Sequence, residues 1–208
     1  MNVARAYRRL ADLGRPVVRT SDVAAVLGES SYAASKTLAR LSAAGLVQPV
    51  RHGIYWIATG QVDPYVLPEY LTDPYPSYVS LQTALYLHGM IEQIPEVVYV
   101  ISLSRTARVR TTVGTFSVHR VVPRFFGGYD MRPNGAKIAT PEKALLDVAY
   151  LSSGKTRLFK ALPELELPRS FRERVAREWI SRLPSPNARA RVERAFAELC
   201  SHATHAGR

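Results

Sequence analysis

The stretch from Thr20 to Ile57, TSDVAAVLGESSYAASKTLARLSAAGLVQPVRHGIYWI, constrains the fold most. It spells a short helix, a tight turn, a longer helix and two short strands. Thr20 or Ser21 is expected as the N-cap of the short helix, with Asp22 in the first turn, where negative charge suits the helix dipole. Gly28 ends that helix. Ser30 or Ser31 caps the longer one, which is expected to reach about Gly45. Leu46–Arg51 and Ile54–Ala58 read as strands joined at His52-Gly53, and Pro49 confines the first to a sheet edge. Upstream, Val3, Ala6, Tyr7, Leu10 and Leu13 recur at helical spacing before Gly14. RPVVRT reads as a short extended link. Three helices followed by a hairpin predict a winged helix-turn-helix over residues 1–60.

The longer helix has two faces. At about 100° per residue, Ala34, Thr37, Leu38, Leu41 and Gly45 fall on one side, with Tyr32, Lys36, Ala39 and Ala43 opposite. Ser35 and Arg40 lie on the flanks. A solvated face usually mixes both signs of charge, yet no Asp or Glu occurs from Ser30 to Ala58. Small side chains permit close approach to a groove. Lys36 and Arg40 suit guanine edges or phosphates, Ser30, Ser31 and Ser35 suit phosphates or bases, and Tyr32 suits a phosphate or a thymine methyl. Arg51 and His52 sit at the hairpin tip, within reach of neighbouring phosphates, and Arg19 precedes the short helix as a phosphate candidate. Tyr55, Trp56 and Ile57 fit a core or an interface better than a stacking surface.

Beyond residue 60, four prolines in TGQVDPYVLPEYLTDPYPS argue against a long helix. This is expected to be a connecting strap over residues 61–76. A second domain over residues 77–208 is expected to open with a helix from about Tyr78 to His88. EVVYVISLS is a buried strand, RVRTTVGTFSVHRVV a hairpin around Gly114, and GYDMRPNGAKIAT a turn and strand. TPEKALLDVAYLS begins a helix with Thr140 as N-cap and Pro141 in the first position. Further helices are expected at about Lys155–Leu162, Phe171–Arg182 and Asn187–Ser201, with HATHAGR frayed. The expected class is α+β: a winged helix-turn-helix, then a mixed α/β domain with a small sheet and a helical tail.

The net charge is +11, and it is uneven: +5 over residues 1–60, zero over 61–150 and +6 over 151–208. Basic ends suit a phosphate polyanion. In the tail, Arg172, Arg174, Arg177, Arg182, Arg189, Arg191 and Arg194 alternate with four glutamates, which reads first as an ion-paired surface and second as a polyanion or partner surface. A lone cysteine, Cys200, permits no intramolecular disulfide and suits a reducing compartment. The N-terminus lacks the apolar run of a secretory signal, and no stretch approaches membrane-helix length. A soluble, cytoplasmic protein is expected.

Enzymatic chemistry has no foothold. The five histidines are scattered, and no zinc set, P-loop, GxGxxG or GxSxG occurs. Glu142 and Asp147 diverge by about 140° around a helix. Lys143 and Asp147 are spaced as an i, i+4 surface pair, and His88, at the end of an apolar run, reads as structural. No catalytic residue, metal or cofactor is expected.

The winged helix closing with RHGIYWI, then YVSLQTALYLHGM before a strand, the RVRTTVGTFSVHRVV hairpin and IATPEKALLDVAY, in that order, resemble the AbiEi antitoxin family. The resemblance extends to about residue 151. It implies an antitoxin that binds inverted repeats in its own promoter through the winged helix and represses the operon. Its C-terminal domain would counteract a nucleotidyltransferase-like AbiEii toxin and support cooperative, self-associating binding on double-stranded DNA. By position, DNA binding falls on Ser31, Tyr32, Ser35, Lys36, Arg40 and Arg51. Two alternatives stay open: a toxin-binding protein that neutralises by direct complex formation, with DNA binding secondary, and a stand-alone winged-helix regulator.

Overall fold

The computed structural model describes residues 2–57, 60–153 and 164–205. Its N-terminal part runs α1 (Val3–Ala11), β1 (Val17–Arg19), α2 (Thr20–Leu27), α3 (Ser31–Ala43), β2 (Val47–Arg51) and β3 (Ile54–Ile57). Leu10, Val23, Leu38 and Leu41 lock the three helices around one core. RPVVRT is more than a link. Val17–Arg19 pair antiparallel with Trp56–Ile54, giving a three-stranded sheet of order β1-β3-β2. Pro49 does lie on an edge strand, next to a register shift between Pro49 and Arg51.

The capping of α2 differs from expectation. Arg19 is the N-cap and Thr20 is already helical, because the Asp22 carboxylate accepts the Arg19 backbone N–H at 2.9 Å. A carboxylate three positions into the helix takes over the role expected of Thr20 or Ser21. Ser30 caps α3 as its type predicts, with its hydroxyl oxygen accepting from Ala33 N at 3.3 Å.

The strap carries a 3-10 turn (Pro64–Val66) and the short α4 (Pro68–Thr72). There follow β4 (Ser77–Val79), α5 (Leu81–Leu87), β5 (Val98–Ser102), β6 (Ala107–Thr111), β7 (Gly114–Arg120), a 3-10 turn (Pro123–Phe125), β8 (Tyr129–Met131), β9 (Lys137–Ala139) and α6 (Pro141–Ser152). The sheet has six strands in the order β6-β7-β5-β4-β9-β8, mixed parallel and antiparallel. Tyr78, expected to begin a helix, belongs to β4. Its strand is paired on both sides and its ring is fully buried, and the helix starts only at Leu81. Leu81 turns the corner at φ 55°, a strained setting for a branched side chain.

The tail forms β10 (Glu166–Leu167), α7 (Glu173–Ser181), α8 (Pro186–Ser201) and β11 (Thr204–His205). Residues 204–205, expected to fray, pair in parallel with β10, and Thr204 N donates to Leu165 O at 2.8 Å. The helix expected at Lys155–Leu162 lies outside the described residues. The whole is a mixed α/β structure. No helix among the described residues is long and apolar enough to cross a membrane.

Two hydrophobic clusters meet at the N-terminal sheet. Val18, Val47 and Ile57 point into the three-helix core, whereas Val17, Val50, Ile54 and Trp56 join the larger core of the second sheet. The period-2 alternation of strands therefore buries this small sheet on both faces.

Candidate nucleic-acid interface

Helix α3 exposes Ser31, Tyr32, Ser35, Lys36, Ala39, Arg40 and Ala43. The leucines beneath hold it: Ala34, Leu38 and Leu41 have no accessible surface. Tyr32 stands 71% exposed, and the Lys36 ammonium lies 4.5 Å from its ring centroid, an i, i+4 cation–π pair that orders both side chains on the open face. Ser35 Oγ donates to Ser31 O at 2.9 Å, leaving its lone pairs outward. Arg40 is turned to the flank, where its guanidinium donates to Thr37 Oγ1 at 3.1 Å; Thr37 in turn donates to Glu29 at 3.1 Å. A carboxylate just before the helix thus draws Arg40 sideways through a hydroxyl relay.

Arg51 and His52 are exposed at the β2–β3 turn, which Gly53 closes at φ 74°. The hairpin is braced from behind. Thr112, at the tip between β6 and β7, donates from its N–H to Val50 O at 3.0 Å and from Oγ1 to Pro49 O at 2.8 Å. Edge strand β2 is thereby covered, which removes a free edge. Sequence reasoning had no signal for Thr112, because its partners lie more than sixty residues away.

Arg19 is placed apart from the other candidates. Its guanidinium donates to Tyr70 O at 3.1 Å, forms an ion pair with Asp73 at 2.5 Å and packs 5.8 Å from the centre of the Tyr70 ring. The side chain expected to meet a phosphate ties α2 to the strap. The remaining candidates Ser30, Ser31, Tyr32, Ser35, Lys36 and Arg40 share one helix and its cap, and Arg51 and His52 share one turn.

Residues 5–58 match the family model described as transcriptional regulator, AbiEi antitoxin. Over those residues the chain is similar to the AbiEi family. No curated protein matches the chain at a significant level. The family is one of antitoxin transcriptional regulators, and the matched AbiEi segment contains every candidate residue above.

Elsewhere the structure holds a polar cluster that spacing misread. Lys143 and Asp147, expected as a surface pair, are both fully buried and ion-paired. Lys143 Nζ also donates to Tyr78 Oη at 2.9 Å, and Asp147 accepts from Tyr78 Oη at 3.1 Å and from Ser80 Oγ at 2.7 Å. The Lys143 ammonium faces Phe125 at 4.2 Å and Trp179 at 5.3 Å. Burial pushes the Asp147 carboxyl up and the Lys143 ammonium down from their ordinary values, each countered by the other's charge. The signal available was the run ALLDVA: apolar residues on every side of Asp147 mark a helix buried all round. With no accessible surface, the cluster is structural. His88 is structural as expected, its Nε2 lying 2.7 Å from Ala139 O. No group of three or more metal-ligating side chains occurs among the described residues.

Proposed function

We propose that this chain is a DNA-binding antitoxin regulator in which residues 1–60 act as a winged helix-turn-helix. Helix α3 enters the major groove of double-stranded promoter DNA, and the β2–β3 turn rests on adjacent phosphates. Lys36, Tyr32, Ser31 and Ser35 meet base edges and backbone from the exposed face, with Arg40 and Ser30 at its flank and start. Arg51 and His52 clamp the backbone. Arg19 keeps a supporting role through the strap, residues 61–76. The carrying observation is the open face of α3: basic, built from small residues and free of acids. Two protomers over inverted repeats would repress the operon.

Residues 77–208 are proposed as the antitoxin domain that counteracts a nucleotidyltransferase-like toxin. The sequence resemblance of YVSLQTALYLHGM and IATPEKALLDVAY to that family supports this reading, which places the protein in the cytoplasm.

The test is a gel shift on DNA from immediately upstream of the chain's own reading frame. Lys36→Ala combined with Arg40→Ala should weaken binding by about 1–3 kcal/mol for each side chain that reads a base. Binding should also fall steeply with salt as counterions are released. A double variant that shifts the promoter as tightly as the parent refutes the assignment of α3.

A further inference from the structure

The tail carries a second basic feature that the α3 reading does not use. Arg124 from the Pro123–Phe125 turn, Arg182 at the end of α7 and Arg189 from the second turn of α8 line one surface pocket of about 380 Å³, completed by Ser181, Leu183 and Pro184. Packing brings them together. Phe125 is fully buried and meets Trp179 edge-on at 6.4 Å, and Leu183 is buried in the same core, so the end of α7 is held against the Pro123–Phe125 turn. The guanidinium carbon of Arg182 lies 3.8 Å from the Trp179 ring centroid, which orients that side chain in advance of any ligand.

No carboxylate side chain lines this pocket. Among the described residues, none of the three arginines forms an ion pair, and the remaining segments of the sequence contain no Asp or Glu side chain. The same two helices show the contrast: Arg177 is held by both Glu173 and Glu193, and Arg174 faces Glu178. Glu173, Glu178 and Glu193 of the tail are thus already paired with Arg174 or Arg177, and none of them lines the pocket. Three converging cations without a counter-charge repel one another, and an anion relieves that repulsion. Guanidinium forks match the tetrahedral oxygens of phosphate, and the dianionic charge suits three of them.

We propose that Arg124, Arg182 and Arg189 form a binding site for a phosphate group. The phosphate is supplied either by a DNA backbone or by a free polyphosphate. The site does not depend on what α3 does.

The test has two arms, both using the full chain and the double variant Arg124→Gln/Arg189→Gln, which keeps most of each stem and removes two charges. Matching melting temperatures establish that the variant folds. In the first arm, isothermal titration calorimetry with pyrophosphate should show saturable one-to-one binding by the parent. That binding should weaken on the order of tenfold or more in the variant and stay unchanged in Arg174→Gln, a control at an arginine that pairs with Glu178 and does not line the pocket. In the second arm, promoter-DNA affinity is measured against salt concentration. A salt dependence shallower by roughly 0.9 for each phosphate that the variant no longer neutralises assigns the phosphate to DNA. An unchanged slope together with abolished pyrophosphate binding assigns it to a free polyphosphate. Parent and variant that agree in both arms overturn the site. If the parent binds no DNA at all, the reading of α3 fails and the pyrophosphate arm alone decides the site.

Discussion

At the residue scale, the open face of α3 depends on which side chains are already engaged. Lys36 and Tyr32 are ordered against each other with no acid between them, whereas Arg19 and Arg40 are drawn into internal contacts. Arg19→Ala should therefore cost under about 1 kcal/mol of stability, since its ion pair with Asp73 is partly exposed. It should also change promoter affinity less than Lys36→Ala does; denaturant titration and gel shift check the two halves. Gly128 is a different case. It sits at φ 75°, and a Cβ there would come within 2.9 Å of the Lys143 side chain. Gly128→Ala should destabilise by roughly 1–3 kcal/mol, read from the shift of the denaturation midpoint. His119, only 6% exposed and within 2.9 Å of Ser117 Oγ, has its basicity lowered by burial from an ordinary value of 6.5. The unfolded chain then takes up a proton at a higher pH than the folded one. Stability should fall as the pH drops below about 6.5, and His119→Gln should flatten that part of the melting-temperature profile. An identical slope in the variant would place the acid sensitivity elsewhere.

At the element scale, local patterns located most helices and strands, and long-range pairing decided where they failed. The helices over residues 3–11, 20–27, 31–43 and 141–152 were legible from caps and spacing. RPVVRT and SYV were not read as strands, because three residues are too few to show alternation; only their partners, β3 for the first and β5 and β9 for the second, make them strands. Spacing likewise showed that Lys143 and Asp147 share a helix face but not that α6 is enclosed on all sides. Of the candidate site, the α3 and turn residues could be read from charge and period alone. The fate of Arg19 could not, since Tyr70 and Asp73 lie some fifty residues away. The buried pair gives a sharp expectation. Asp147→Asn leaves a buried ammonium without its counter-charge and should cost about 3–5 kcal/mol, while Lys143→Met with Asp147→Leu should recover much of that deficit. Chemical denaturation of the single and double variants checks it, and equal destabilisation of the two would contradict it.

At the scale of the whole molecule, the small N-terminal sheet joins two cores. Trp56 belongs to the larger cluster while its strand neighbour Ile57 belongs to the smaller, and Arg19 and Thr112 fasten the two sides at separate points. The division at residues 61–76 is thus a proposed functional boundary crossed by extensive packing. Unfolding should be one cooperative transition, with tryptophan emission and far-ultraviolet circular dichroism superimposing; two separated transitions would show the cores to be independent. Such bracing presents α3 and the β2–β3 turn as one rigid surface, which is what groove reading requires. Its placement on DNA can be mapped directly. Ala39 lies on the open face, and the only native thiol, Cys200, is half-buried and has its pKa pushed up to about 12, so it resists alkylation. An iron chelate attached through Ala39→Cys should cut promoter DNA at localised positions repeated in each half of an inverted repeat, one helical turn or a multiple of it apart. Diffuse cutting, no different from that of the same chelate attached at Arg174→Cys, would contradict the central claim that α3 reads DNA.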